Sequence, residues 1–179
     1  MRFHQVRLLA STLIVAGCVL GATQWRAWAQ NGNPGLTIFS GVERQNELNY
    51  RLDFGGNRNG VDRYRLRIPA NKMETAVKKL AISYPDYFDK TNGTFDVDKI
   101  EVRADGESLP IQEVIWNKDD NVVIITMEDQ IPSGEGAELV FSNVRNPRWG
   151  GTFYFNLLVS PPGEAPQPRA LGTYIITIS

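Results

Sequence analysis

The side chains that could do chemistry in this sequence are carboxylates, lysines, tyrosines and serines. The only cysteine, Cys18, and the only histidine, His4, lie in an N-terminal segment with the layout of an export signal. Once that segment is removed, the chain can form no Ser-His-Asp or Cys-His arrangement, and no zinc site with His or Cys ligands. The sequence therefore predicts a protein without enzymatic activity and without a cofactor.

Carboxylates alone could still support hydrolysis of a glycosidic bond, a reaction that needs two Asp or Glu side chains flanking a cleft. The chain has 20 Asp and Glu residues, but none of them stands in a recognisable catalytic motif. A secreted hydrolase of the glycoside hydrolase type is therefore kept as the alternative function.

Residues 86–98 collect oxygen atoms of the kind that calcium binds, and calcium takes six to eight of them. The spacing is not that of an EF-hand loop, and Lys90 lies inside the group, where it would repel a cation. We favour a hydrogen-bonded turn over a metal site, and a calcium-stabilised surface module is the least favoured function. The weak candidate ligands are Asp86, Asp89, Asp96 and Asp98.

An arginine ladder is predicted on one strand, because residues 64–68 alternate between apolar and basic side chains. Tyr64 and its apolar neighbours should face inward, while Arg63, Arg65 and Arg67 should face outward, with Arg51 as a further candidate. This ladder could dock an anionic polymer or partner. The favoured interpretation is a solvated sheet face whose charges discourage edge-to-edge pairing.

The richest turn of the sequence precedes an apolar strand predicted at residues 152–159. Asn, Pro and Gly residues between 143 and 151 are explained by the need to reverse the chain. Arg145, Arg148 and Trp149 are not explained by turn geometry, and they form the candidate binding surface of this turn. Trp149 either stacks on the apolar face of a sugar or folds over the strand below it.

Location is predicted from the N-terminus. Arg2 and Arg7 are followed by an uncharged apolar run, and Ala27 and Ala29 form an A-x-A pattern before Gln30. This is the layout of a cleaved secretory signal peptide, which is too short for a membrane span. We expect a signal peptide at residues 1–29, a lead-in at residues 30–35, one domain at residues 36–179, and no integral membrane span after processing.

A second processing site is possible within the same segment. Residues 15–18, Val-Ala-Gly-Cys, resemble a bacterial lipobox, in which Cys18 would be acylated and become the new N-terminus. The apolar run continues beyond Cys18, however, so the sequence favours cleavage after Ala29. Either route predicts an exported protein, periplasmic or extracellular, which would be lipid-anchored if Cys18 is the processing site.

The charge of the mature chain limits its partners. Residues 1–29 contain three arginines and no acids, so their removal changes the net charge from −1 to −4. A mildly acidic chain without a basic block is a poor candidate for nucleic-acid binding. The expected partner is an envelope polysaccharide or an envelope protein, bound by a non-enzymatic binding or structural module.

The elements that must position these residues are short strands with turn signals about every ten residues. Residues 36–42 are predicted as the first strand, residues 122–127 as a central strand that is apolar on both faces, and residues 70–76 as the one modest helix. About 8–10 strands without helical crossovers indicate an all-β fold with antiparallel pairing. The predicted fold is an immunoglobulin-like antiparallel β-sandwich.

Several segments resemble a family of secreted cyanobacterial proteins catalogued as a domain of unknown function (number 2808). The resemblance spans nearly the whole mature chain and is richest in the run SNVRNPRWGGTFYFN. It implies an exported, sandwich-like domain, and it supplies no activity and no functional residues. The resembling segments are residues 40–43, 50–54, 64–69, 82–85, 95–102, 142–151 and 171–174.

Overall fold

Ten antiparallel β-strands are present in the computed structural model, which describes residues 42–164 and 166–179. The predicted signal peptide, the lead-in and all but the last residue of the predicted strand at residues 36–42 lie outside the described residues. The strands are β1 Tyr50–Leu52, β2 Val61–Ile68, β3 Val77–Ser83, β4 Ile100–Ala104, β5 Glu107–Leu109, β6 Ile111–Asn117, β7 Val122–Ile131, β8 Ala137–Arg145, β9 Gly151–Ser160 and β10 Arg169–Ile178.

Two five-stranded sheets divide these strands between them. Sheet I has the order β1-β2-β8-β4-β5, and sheet II has the order β10-β9-β3-β7-β6. Neighbouring strands in both sheets pair antiparallel. This is the immunoglobulin-like β-sandwich that the sequence predicts. No helix among residues 42–164 and 166–179 is long and apolar enough to cross a membrane.

The core lies between the inner faces of the two sheets. On β2, the predicted inward residues Tyr64, Leu66 and Ile68 are all buried. On β9, alternate residues from Phe153 to Val159 are buried in the same cluster. The rings of Tyr64 and Phe155 lie 6.2 Å apart between their centroids, which joins the two sheets directly. Alternation with period two therefore predicts the core correctly in these strands.

An aromatic cluster fills one end of the core. Phe88 and Phe95, from the connection between β3 and β4, stack with centroids 5.1 Å apart. Tyr84 packs edge-on against both rings, and Phe155 meets Phe88 at 5.2 Å. Such pairs contribute about 0.5–1.5 kcal/mol each beyond the area that they bury. The connection that the sequence presents as a polar turn is thus held to the sandwich by its two phenylalanines.

The first part of strand β7, residues 122–127, is largely buried on both faces, as its continuous apolar sequence predicts. Val123 and Ile125 lie in the core, whereas Ile124, on the opposite face, is also only 2% exposed. The strand is flanked by β3 and β6, so it lies inside sheet II rather than at an edge.

The helical segment predicted at residues 70–76, of one or two turns, is limited to its first three residues. The structure has a single 3₁₀ turn, Ala70–Lys72, which ends because Met73 leaves helical geometry with φ −88° and ψ 62°. The Met73 side chain is buried, and its carbonyl accepts a hydrogen bond from Gly134 N at 2.6 Å. Core packing at Met73 therefore outweighs the helical preference of this segment. The other 3₁₀ turns in the described residues are Arg44–Asn46 and Val97–Lys99.

The connection from β8 to β9 is shorter than the turn that the sequence predicts. Strand β8 continues to Arg145 through a β-bulge, in which Asn143 has a positive φ of 58°. Asparagine is among the residues that tolerate this conformation best. Strand pairing resumes after the bulge and continues to Arg145, so only residues 146–150 lie between β8 and β9.

Candidate binding surfaces

A buried asparagine fixes the turn between β8 and β9. The Asn146 side chain accepts a hydrogen bond from the Tyr64 hydroxyl at 2.6 Å and donates one to the Asn57 carbonyl at 2.8 Å. Its backbone nitrogen donates to the Gly60 carbonyl at 2.8 Å. Because Tyr64 is also buried, each group satisfies a polar atom that would otherwise be left unpaired in the core.

Three other segments hold the rest of this turn. Asn59 N donates to the Pro147 carbonyl at 2.8 Å, and Arg148 N donates to the Thr91 carbonyl at 2.7 Å. A Cβ atom on Gly150 would lie 2.8 Å from the Ile178 carbonyl oxygen, so the close approach to the end of β10 requires glycine. The turn therefore presents its side chains from a rigid backbone.

Trp149 projects from this turn with 62% of its surface exposed. The Arg148 guanidinium lies over the indole ring, with its Cζ atom 5.6 Å from the ring centroid. The side chain thus points into solvent and does not fold over β9. An exposed indole on a fixed turn is available for stacking on a ligand.

Two exposed tyrosines lie beside the first residues of β9, the strand that follows this turn. Tyr87 is 45% exposed and Tyr154 is 42% exposed. The Tyr87 hydroxyl donates to the Thr152 carbonyl at 3.1 Å, and Thr91, which bonds Arg148, also donates to the Tyr87 carbonyl through its hydroxyl at 2.6 Å. Burial raises the pKa of Tyr87, and the nearby Tyr154 and Asp86 raise it further. We name Tyr87, Arg148, Trp149 and Tyr154 the aromatic surface.

Sequence reasoning singled out Trp149 but not the two tyrosines. Alternation along β9 places Tyr154 on the opposite face from the buried Phe153 and Phe155, which is a usable signal of exposure. Tyr87 gives no comparable signal, because its position depends on how the connection after β3 folds against β9.

The predicted arginine ladder lies on the outer face of sheet I. Arg63, Arg65 and Arg67 alternate with buried residues along β2. Arg51 is paired with Arg65 in register, and Arg103 of β4 is paired with Glu138 of β8. Arg145 is paired with Val61, on the same side of β2 as the ladder. We name the group the arginine face: Arg51, Arg63, Arg65, Arg67, Arg103 and Arg145.

One carboxylate is shared by three of these arginines. Asp53 lies 2.9 Å from Arg51, 3.6 Å from Arg63 and 2.9 Å from Arg65. Burial of Asp53 opposes its ionisation, but the hydrogen bonds from Arg65 and Arg51 outweigh that effect, and the pKa of the carboxyl lies below its usual value. Asp53 is therefore held as an anion among three guanidinium groups.

Glu138 and Glu101 supply the other carboxylates of this face. Glu138 contacts Arg65 at 3.1 Å and Arg67 at 3.5 Å. The Arg103 guanidinium donates two hydrogen bonds to Glu101, and these bonds lower the pKa of Glu101 against the effect of its burial. Sequence reasoning did not place these acids, because they come from strands that are distant in the chain.

The two candidate surfaces occupy different parts of the fold. The arginine face covers the outer side of sheet I, whereas Trp149 lies beyond the end of β8, where the chain crosses to sheet II. Of the three candidates in the turn, Arg145 is the one that the strand register places with the arginine ladder.

The structure does not bring the candidate calcium ligands together. Asp86 forms an ion pair with Lys90 at 2.6 Å, and Asp96 accepts a hydrogen bond from Asn143 at 2.8 Å. Asp98 is exposed on a 3₁₀ turn, and Asp89 lies near the Tyr84 hydroxyl. Within residues 42–164 and 166–179 no group of three or more acidic, His or Cys side chains is placed to hold a metal ion.

A cleft of about 500 Å³ lies beside these residues, and its walls include Asp86, Asp89 and Asp119. The hydrogen bond from Lys90 lowers the pKa of Asp86. A glycosidase acid needs the opposite shift, so that it carries a proton at neutral pH. The direction of the pKa shift at Asp86 therefore gives no support for this residue as a general acid.

Comparison with known proteins identifies a family but no activity. The profile of the family described as "Protein of unknown function (DUF2808)" matches residues 36–178. None of the curated proteins with which the sequence was compared matches it significantly.

Several solved structures are similar in architecture at low identity. An uncharacterised protein from Nocardia farcinica, described as having an immunoglobulin-like fold, is 14% identical with a TM-score of 0.41, over 74% of this chain and 98% of that chain. A collagen-binding domain from a Staphylococcus aureus adhesin is 12% identical with a TM-score of 0.40, over 73% and 95%. A variant of BcpA, the major pilin subunit of Bacillus cereus, is 10% identical with a TM-score of 0.46, over 74% and 40%.

Proposed function

Since this chain belongs to the DUF2808 family, whose description assigns no function, we propose that it is an exported, non-enzymatic module that binds polysaccharide of the cell envelope or extracellular matrix through its aromatic surface. The observation that carries this proposal is the exposure of Trp149 on a turn whose backbone is fixed by Asn146. An exposed indole costs solvation free energy, and a rigid support gives it a defined orientation.

Sugar chemistry fits this surface. The axial C–H groups of a pyranose form an apolar face that packs against an aromatic ring, while its hydroxyls need hydrogen-bond partners at the ring edges. The aromatic surface offers one indole, two phenol rings that each carry a hydroxyl, and the Arg148 guanidinium. A shallow surface of this kind suits an extended polymer better than a small molecule, which needs an enclosing pocket.

Export and the lack of catalysis are supported by the sequence. The A-x-A pattern at Ala27 and Ala29 favours a protein that meets envelope or external polymers. A chain cleaved there retains neither histidine nor cysteine. An envelope protein is the other partner class compatible with the aromatic surface.

A glycan array tests the proposal with the mature chain and two matched variants. Trp149→Ala should lose about fivefold or more in affinity for the glycans that wild type binds, because a base stacked on an aromatic side chain contributes about 1–3 kcal/mol and a sugar face packs on the ring in a similar way. Phe54→Ala is the control on uncharged glycans, since Phe54 is 56% exposed and packs beside Arg63, outside the aromatic surface.

Two outcomes would overturn the assignment. Wild type could bind no glycan on the array while it captures a protein from envelope fractions, which would identify a protein-binding module. Equal losses in the Trp149 and Phe54 variants would show that the aromatic surface is not the binding site.

A further inference from the structure

We propose that the arginine face of sheet I is a second binding surface, which takes a carboxylated polysaccharide such as a uronate polymer. This inference goes beyond the proposed function and stands without it, because it uses different residues on a different part of the fold. Its basis is an excess of guanidinium groups over carboxylates on one face of an otherwise acidic chain.

The charge balance of this face is the first argument. Six arginines share it with four carboxylates, Asp53, Glu101, Asp105 and Glu138, whereas acids outnumber bases by four in residues 30–179 as a whole. Asp53 alone lies within 3.6 Å of three guanidinium groups. Intramolecular ion pairing therefore leaves positive charge on this face, and an external anion would be attracted to it.

The exposure of the arginines is the second argument. Arg65, which contacts both Asp53 and Glu138, is only 17% exposed and anchors the network. The side chains of Arg51, Arg63 and Arg67 are 59%, 40% and 61% exposed. The single ion pair of Arg67 is a 3.5 Å contact, so most of its donors face solvent. These three outer guanidinium groups remain available to a ligand.

The shape of the face favours a polymer. Successive outward residues on one strand are about 6.6 Å apart, so Arg63, Arg65 and Arg67 form a row about 13 Å long. Arg103 lies two strands away from Arg67, across Glu138, and these three residues line one open cleft on the face together with Asp105. A row of regularly spaced charges on one sheet face matches an anionic chain that carries its charges at regular intervals.

The chemistry of the face favours carboxylate as the anion. The guanidinium groups of this face already bind carboxylates, since Arg51 and Arg65 lie 2.9 Å from Asp53 and Arg103 lies 2.7 Å from Glu101. An incoming uronate carboxylate would repeat contacts that the face already makes. Exposed apolar side chains, which membrane docking would require, are limited among the outward residues of sheet I to Val61 and the adjoining Phe54.

Polygalacturonate is the probe, and its methyl ester is the matched polymer without charge. The mature chain should bind polygalacturonate in a salt-sensitive manner and should not bind the ester, because exposed charge pairs weaken as ionic strength rises. The triple variant Arg51→Gln, Arg63→Gln, Arg67→Gln should lose about tenfold in affinity, since each exposed pair contributes a few-fold. Arg65 stays in place to preserve the network, and thermal melting verifies the fold of each variant.

A second triple variant, Lys78→Gln, Lys90→Gln, Lys118→Gln, removes the same charge away from sheet I and should bind as wild type does. An equal loss in both triple variants would show only a net-charge effect and would overturn the assignment. The assignment would also be overturned if binding were absent or insensitive to salt. Equally tight binding of polyglutamate or phosphatidylglycerol vesicles would overturn it too. Trp149→Ala should leave polygalacturonate binding unchanged, which separates this test from that of the aromatic surface.

Discussion

Asn146 shows how one polar side chain can determine where a surface residue points. Its amide satisfies the buried Tyr64 hydroxyl on one side and the Asn57 carbonyl on the other. These bonds join β2, the loop before it and the turn after β8. Trp149 lies three residues further on, so the orientation of its exposed ring depends on an amide that no ligand touches.

We expect Asn146→Ala to lower the free energy of unfolding by about 2–4 kcal/mol, because it leaves the buried Tyr64 hydroxyl and the Asn57 carbonyl without partners. Urea denaturation measures this loss. Asn143→Gly is the control, since it keeps the positive φ and removes only an exposed bond to Asp96. A cost below about 1 kcal/mol for Asn146→Ala would show that water replaces both bonds.

The sequence identifies Trp149 as a candidate site residue, but it does not identify Asn146 as a buried one. Trp149 can be singled out because turn geometry does not require an indole. Asn146 looks like an ordinary turn residue, since asparagine serves exposed turns and buried hydrogen-bond networks equally well. Its burial follows from the Tyr64 hydroxyl, which reaches it from 82 residues away in the chain.

At the scale of elements, β10 shows most clearly how one strand divides its side chains between core and surface. It pairs with β9 along its length, and Tyr174, Ile176 and Ile178 point into the core. Ile175 lies between them on the outer face of sheet II, where it is half-buried. The two adjacent isoleucines therefore provide a matched pair.

We expect Ile176→Ala to destabilise the domain by about 2–5 kcal/mol, because it opens a cavity in a packed core. Ile175→Ala removes the same atoms from the outer face and should cost about 1 kcal/mol. Thermal or chemical denaturation of both variants measures the difference. Equal costs would contradict the assignment of inner and outer faces in sheet II.

The inward residues of a strand can be predicted from the sequence where one face of the strand is buried and the other is exposed to solvent. The alternation around Tyr64 gave the correct inward residues, and the apolar run of β7 gave an interior strand. The connection at residues 86–98 was not predictable, because its many polar residues mask Phe88 and Phe95, whose rings pack on Tyr84 and Phe155. Irregular backbone has no period that would reveal a buried face.

At the scale of the whole molecule, the two proposed surfaces are carried by a single sandwich. The arginine face depends on strand order, since β2, β8 and β4 must be neighbours for Arg67, Glu138 and Arg103 to meet. The strand order of a sandwich depends on long-range pairing, which local sequence does not encode. The ladder on β2 was therefore visible in the sequence, but its carboxylate partners were not.

Mass spectrometry of the exported protein tests the predicted processing. We expect a mature chain that begins at Gln30, because the A-x-A pattern at Ala27 and Ala29 follows the apolar run. Ala29→Arg should block this cleavage and leave the precursor uncut. An N-terminal diacylglyceryl-Cys18 would contradict the prediction and would place the protein on a membrane as a lipoprotein.

The two tryptophans of the described residues lie in different environments, so their fluorescence can report separately on unfolding and on binding. Trp116 packs against the core, donates to the Tyr84 hydroxyl at 2.7 Å and lies beneath Lys118, whereas Trp149 faces solvent. Unfolding should therefore shift the emission of Trp116 to longer wavelength, and polysaccharide stacking should change the emission of Trp149. In Trp116→Phe and Trp149→Phe chains, each event can be recorded separately without an added label.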